Sequence, residues 1–230
     1  MAVSTQEIKA WLDAGGSPPT SSEVIETGHL LTEHGDQVEY ALHFGWDLAI
    51  ANRCDDSWGA FNIRLLRHIA DLKLNTAELT AALEGVQLDD GHWKWLQKSL
   101  VYRSDQYKWF FIIAESYPQA ACLIFHPKPS AIDATPIFYI EYVAVAPWNR
   151  VNPIAARSFR GLGTKIIGVA SHYAIHVLGL RPGYSLHALP KAIPFYEAIG
   201  MVHFEAHDKD GLPFFEMPED KCAPVHERAA

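Results

Sequence analysis

The stretch from Ile137 to Leu178 constrains the fold more than any other. IFYIEYVAV, residues 137–145, is a short run of β-branched and aromatic residues and reads as a strand. The loop PWNRVNPIAARSF follows, then Gly161 and Gly163, and then Ile166, Ala170, Tyr173 and Val177 at helical spacing over about 162–178. A strand feeding through a glycine turn into a helix is an α/β unit, and it needs a sheet on one side of that helix.

The flanking segments supply one. Lys108 to Glu115 and Ala120 to His126 are short apolar runs parted by Ser116, Tyr117 and Pro118, which predicts a hairpin. Upstream, VEYALHFGWDLAIA from Val38 reads as a strand. Phe61, Leu65, Ile69 and Leu72 follow at helical spacing. A second helix opens at Asn75 with Glu78 three residues on, the spacing of a capping box, and closes at Gly85. A third runs from His92 to Leu100. The end of the chain reads as strand (YSLHAL), helix (191–199), strand (MVHFEAH), a turn at Asp208 to Gly211, and strand (LPFFEM). The expected fold class is α/β, a mixed, mostly antiparallel central sheet flanked by helices on both faces as an α-β-α sandwich. The expected organisation is an N-terminal extension over 1–37, with a loop at Gly15 to Pro19, one domain over 38–218 and a tail over 219–230.

Charge narrows the function. The net charge of −8 argues against general nucleic-acid binding, which needs a positive surface to replace counterions. Yet between Glu141 and Glu197 there is no acidic residue, while Arg150, Arg157, Arg160, Lys165, Arg181 and Lys191 all fall there. Such a run suits a small polyanion; the alternative is chance clustering. No apolar run spans a bilayer and no basic patch precedes an apolar one near the start, so a cytoplasmic protein without a membrane partner is expected. Cys54, Cys122 and Cys222 are odd in number and far apart, and read as ordinary thiols. His172 and His176 are four apart on a helix, but with no third ligand near them no metal is expected.

In RSFRGLGTKII the glycines let backbone N–H groups at a helix start approach a phosphate, with Arg157 and Arg160 placed to pair with the same oxygens. A purely structural turn would use glycine in the same way. VAVAP, a basic loop and RGLGTKII together resemble the acetyl-CoA-binding motif of the GNAT acyltransferases, Q/R-x-x-G-x-G/A. ALPKAIPFYEAIGM resembles that family's second signature. The resemblance covers about residues 108–206 and implies acetyl-CoA as co-substrate, bound by Val143, Ala144 and Val145 on the strand and by Arg157, Ser158, Arg160, Gly161, Leu162, Gly163 and Thr164 at the turn. It implies Tyr196 as the acid that protonates the departing thiolate, and a primary amine of a small molecule or protein as acceptor. Glu141, on the same strand face as Val143, is the expected base; the alternative is a solvated or ion-paired glutamate. Two departures stand out: Ser158 replaces the motif Gln/Arg, and Leu189 stands where many members carry asparagine. They leave open a catalytically silent acyl-CoA-binding, regulatory or protein-interaction module on the same fold. A homodimer is compatible with the sequence.

Overall fold

Apolar residues that alternate along one segment and recur every third or fourth position along the next divide this chain into strands and helices. The computed structural model describes residues 4–16 and 20–222. Ser17, Pro18 and Pro19 of the expected loop and residues 223–230 of the expected tail lie outside them. The helices are α1 (Thr5–Asp13), α2 (Leu48–Asp71), α3 (Thr76–Glu84), α4 (Trp95–Val101), α5 (Leu162–His176) and α6 (Ile193–Ala198). The strands are β1 (Glu23–Leu31), β2 (Gln37–Phe44), β3 (Tyr107–Ala114), β4 (Tyr117–Pro129), β5 (Pro136–Val145), β6 (Tyr184–His187), β7 (Val202–His203) and β8 (Phe214–Met217). They form one eight-stranded sheet in the order β1-β2-β3-β4-β5-β6-β8-β7, mostly antiparallel and flanked by helices, as expected for the fold class. Among the described residues no helix is long and apolar enough to cross a membrane.

The chain divides into two compact units, each built from separated stretches. The first takes residues 1–103, 111–119 and 145–160. In it β1 and β2 pair antiparallel from Glu23–Phe44 to Leu31–Gln37. Asp47 caps α2 by accepting from the Ile50 N–H at 2.8 Å, and Asn75 and Glu78 close the capping box of α3 as the sequence predicts. Phe61, Leu65 and Ile69 of α2 pack with Val86, against which Trp148 and Ile154 lie.

The second unit takes residues 104–110, 120–144 and 161–230. β5 runs parallel to β6, with Phe138, Tyr139 and Ile140 opposite Tyr184, Ser185 and Leu186. β8 then pairs antiparallel with both β6 and β7. Glu216 of β8 is fully buried and still charged-partnered: Arg181 lies 3.4 Å away, Ser130 Oγ donates to it, and so does the Ala131 N–H at 2.7 Å. Paired and hydrogen-bonded in this way, a buried carboxylate is tolerated.

Three sequence expectations need correction. Residues 23–31, read as part of an extension, are a strand of the sheet; nearly every position is exposed, so it shows no two-residue apolar period. The strand begun at Val38 ends at Phe44 rather than running on, because Asp47 starts α2. MVHFEAH keeps only Val202 and His203 as strand, and Glu205–His207 turn as a 3-10 helix.

Candidate functional site

The start of α5 leaves backbone groups uncapped. Gly161 is its N-cap, at φ 73, a left-handed conformation that glycine adopts without cost. No side chain caps the helix, and its first internal bond runs from the Lys165 N–H to the Gly161 carbonyl at 2.9 Å. The N–H groups of Leu162, Gly163 and Thr164 precede that bond and have no partner inside the helix. A Cβ added at Gly161 or Gly163 would meet nothing within 4 Å. Backbone conformation accounts for Gly161. Gly163 has no such account: it sits in helical backbone where alanine would be about 1 kcal/mol better, and no neighbour requires its side chain to be missing. Three donors, the positive end of a fifteen-residue helix and a cleared approach are what an anion needs.

The basic run is less available than its sequence suggests. Arg150 pairs with Asp90 through its two terminal guanidinium nitrogens, one at 2.6 Å, with side chains only 11% and 12% exposed. It also donates to the carbonyls of Val145 and Gln87. Arg181 is committed to Glu216, Ser130 and Thr135. Arg160, one of the two expected phosphate contacts, pairs with Glu33, whose carboxyl it holds below the usual range. Arg157 and Ser158 are half-buried on the same loop. Three of the six bases thus answer acids brought from distant parts of the chain.

β5 outruns its parallel partner. The ladder with β6 ends at Ile140 and Leu186, while β5 continues through Glu141, Tyr142, Val143 and Ala144 to Val145. Beyond that rung only His187 is left of β6, so from Tyr142 on the β6-facing edge of β5 has no β6 residue opposite it. Tyr139, Glu141, Val143 and Val145 are half-buried, whereas Phe138, Ile140 and Ala144 are buried, so one face of the strand is open and the other packs.

Tyr196 on α6 is buried, 6% exposed, with Phe195 and Phe215 as ring neighbours. Burial, aided by the nearby Cys122, pushes its phenol well up, so it gives up its proton less readily than an exposed tyrosine does. On β6 the Tyr184 hydroxyl and Ser185 Oγ are buried without a hydrogen-bond partner. The structure brings Glu141, Val143, Ala144, Gly161 to Thr164 and Tyr196 into the second unit and leaves Val145, Arg157, Ser158 and Arg160 in the first.

Elsewhere, Trp58, Trp93 and Trp95 stand edge to face at 5.7 and 5.9 Å beside a cleft. Asp55 in that cleft accepts the N–H groups of Trp95 and Leu96 at 2.7 and 3.1 Å, and burial raises its pKa. Asp55 and Asp90 thus already serve α4 and Arg150. Cys54, Cys122 and Cys222 are buried thiols in no disulfide, and burial raises each, that of Cys222 to about 11. His172 and His176 lie ring to ring at 4.3 Å, and among the described residues no group of three or more side chains is placed to hold a metal.

Sequence reasoning missed Tyr139 and His187, whose polar atoms meet at 2.6 Å beside the end of the β5–β6 ladder. They are far apart along the chain, and only the register of two parallel strands joins them.

No protein-family model matches the chain, and no curated protein does. Solved structures similar to it include a putative acetyltransferase of the GNAT family from Desulfovibrio desulfuricans, 15% identical, covering 77% of this chain and 98% of that one at a TM-score of 0.42. The N-acetyltransferase PseH of Campylobacter jejuni is 11% identical, covering 64% and 92% at 0.37. The KacTA–DNA complex contains a chain 10% identical, covering 56% and 79% at 0.43.

Proposed function

We propose that this chain is an acyl-CoA-dependent N-acyltransferase of the GNAT type, moving an acetyl or other short acyl group to a primary amine of a small molecule or protein. The observation that carries the reading is a strand that outlasts its parallel partner, followed in the same unit by a helix start with open space at Gly161 and Gly163. An extended amide-bearing arm can add to the edge of β5 at Val143 to Val145 as a strand would. Its diphosphate suits the N–H groups of Leu162, Gly163 and Thr164, and the open space at Gly163 fits a bulky anion.

In this reading a β5 N–H polarises the thioester carbonyl, and the amine attacks it directly. Glu141 lies on the open face of the strand, where the nitrogen's proton must be taken up. As the carbon–sulfur bond breaks, the sulfur takes a proton from Tyr196, the role its place in the second signature gives it. The paired basic residues make affinity depend on backbone more than on arginine, and a cytoplasmic setting supplies the co-substrate.

Incubation with acetyl-CoA and primary amines, following free thiol, tests the reading. Tyr196→Phe should lower turnover about 100-fold at unchanged CoA affinity; full turnover in that variant removes Tyr196 from the chemistry. A second reading is favoured by one specific pair of facts, Ser158 at the motif position and Arg160 bound to Glu33. It is an acyl-CoA-binding module without transfer, and it predicts CoA binding with no thiol release.

A further inference from the structure

Tyr139 of β5 and His187, the last residue of β6, meet where the parallel ladder stops. Tyr139 Oη lies 2.6 Å from His187 Nδ1, and His187 Nε2 lies 3.0 Å from the carbonyl oxygen of His207. A carbonyl oxygen only accepts, so in the neutral ring Nε2 carries the proton and Nδ1 is left to accept. Tyr139 is therefore the donor, and a backbone atom on the far side of the imidazole fixes the direction of the bond. Phe214 stands edge-on to the His187 ring at 5.2 Å and Tyr139 at 5.8 Å, so packing holds the ring in that orientation.

The charged and titratable groups around the pair come from four elements. Lys128 of β4 lies over the Tyr139 ring at 4.7 Å. Glu141 is the next residue but one along β5, on the same face. His203 of β7 is hydrogen-bonded to Asp208 at 2.9 Å, and the Asp208 carboxyl, held low first by the Phe214 N–H, also feels His187. His207 contributes its carbonyl. Burial first, and then Glu141, raise the Tyr139 phenol, so Tyr139 is not itself a base. A phenol that receives one proton as it passes on another never has to ionise, and the atom with room for the incoming proton is His187 Nδ1.

We propose that Tyr139 and His187 form a proton relay at the open edge of β5 that takes up the proton shed by the acceptor amine. The proposal rests on the acyltransferase reading and deepens it. As the amine lone pair forms the new carbon–nitrogen bond, its N–H proton passes to Tyr139 Oη, and the Tyr139 proton passes to His187 Nδ1. The carbon–sulfur bond then breaks and the sulfur takes the Tyr196 proton. His187 ends the step as an imidazolium, its Nε2–H still on the His207 carbonyl, in the field of the Asp208 carboxylate. The relay replaces Glu141 as the base: the proton travels through Tyr139, and Glu141 acts on the pair only through its charge. Tyr139 is then a catalytic residue and His187 the group that acts through it.

The test uses the full chain with acetyl-CoA and three amine probes, ethanolamine, spermidine and an N-terminally blocked lysine peptide, following free thiol across pH. Tyr139→Phe removes one hydroxyl and keeps the ring under Lys128; His187→Gln removes the proton acceptor. Each should lower kcat about 100-fold at unchanged KM for acetyl-CoA, and the rising limb of the rate–pH profile should disappear in His187→Gln. Nitrogen NMR of the unliganded protein should find His187 protonated at Nε2, with a Nδ1 shift that moves in Tyr139→Phe. Wild-type kcat and profile in both variants, or a proton on Nδ1 in the neutral wild-type ring, overturns the relay and leaves acyl transfer standing. No thiol release by the wild type with any probe overturns the acyltransferase reading and the relay with it.

Discussion

The loop after β5 and the turn that follows it differ sharply in how they use their polar groups. Over residues 146–160 the polar groups answer one another. The Gln119 carbonyl accepts from the Ala146 N–H at 2.8 Å, and its side-chain oxygen accepts from Trp148 at 2.8 Å and Asn149 at 2.9 Å. Asn149 Oδ1 in turn accepts the Phe159 N–H at 3.0 Å, while Arg150 holds Asp90. Over residues 161–164 nothing of the kind occurs: the helix start has no side-chain cap and open space where two side chains could stand. One stretch spends its hydrogen bonds on holding itself in place. The other leaves the N–H groups of Leu162, Gly163 and Thr164 without an intrahelical partner, as the anion-binding role proposed for them requires.

That contrast can be broken at several points. Arg150→Ala strands a buried Asp90 and should cost about 3–5 kcal/mol in urea unfolding; a cost near zero would mean that the loop is not held by this pair. Gln119→Leu leaves the Trp148 and Asn149 donors without their acceptor and should cost about 1–3 kcal/mol by the same measurement. Gly163→Ala should move two quantities in opposite directions. CoA binding, read by calorimetry, should weaken about tenfold, or about 1.4 kcal/mol, while stability rises by about 0.5–1 kcal/mol. Weaker binding together with lower stability would make Gly163 structural. Ser158→Arg, which restores the charge missing from the motif, has the smallest expected effect, a CoA affinity higher by about 0.5–1 kcal/mol.

What could be read from sequence follows from the range of the interactions involved. The β3–β4 hairpin, the Asn75–Glu78 box and the glycine turn are decided within a few residues, and they were legible. β1 was not, because an exposed strand has no apolar period to show and is specified by pairing with β2. The partners of the basic run were not legible, because linear charge says nothing about them: Arg160 finds Glu33, and Arg150 finds Asp90, across long separations. Tyr139 and His187 were invisible for the same reason, each being ordinary in its own segment. Glu141 and Val143 share the open strand face that alternation predicts, yet the point at which β6 stops could only come from the ladder itself.

The strand order of the second unit has a consequence for synthesis. β8 lies between β6 and β7, and β7, only two residues long, pairs with β8 alone. While a ribosome has yet to deliver Phe214–Met217, the nascent chain can hold neither the outer edge of its sheet nor a partner for Arg181 at Glu216. This unit therefore closes late, and until then an exposed β6 edge is a surface for chaperones to cover.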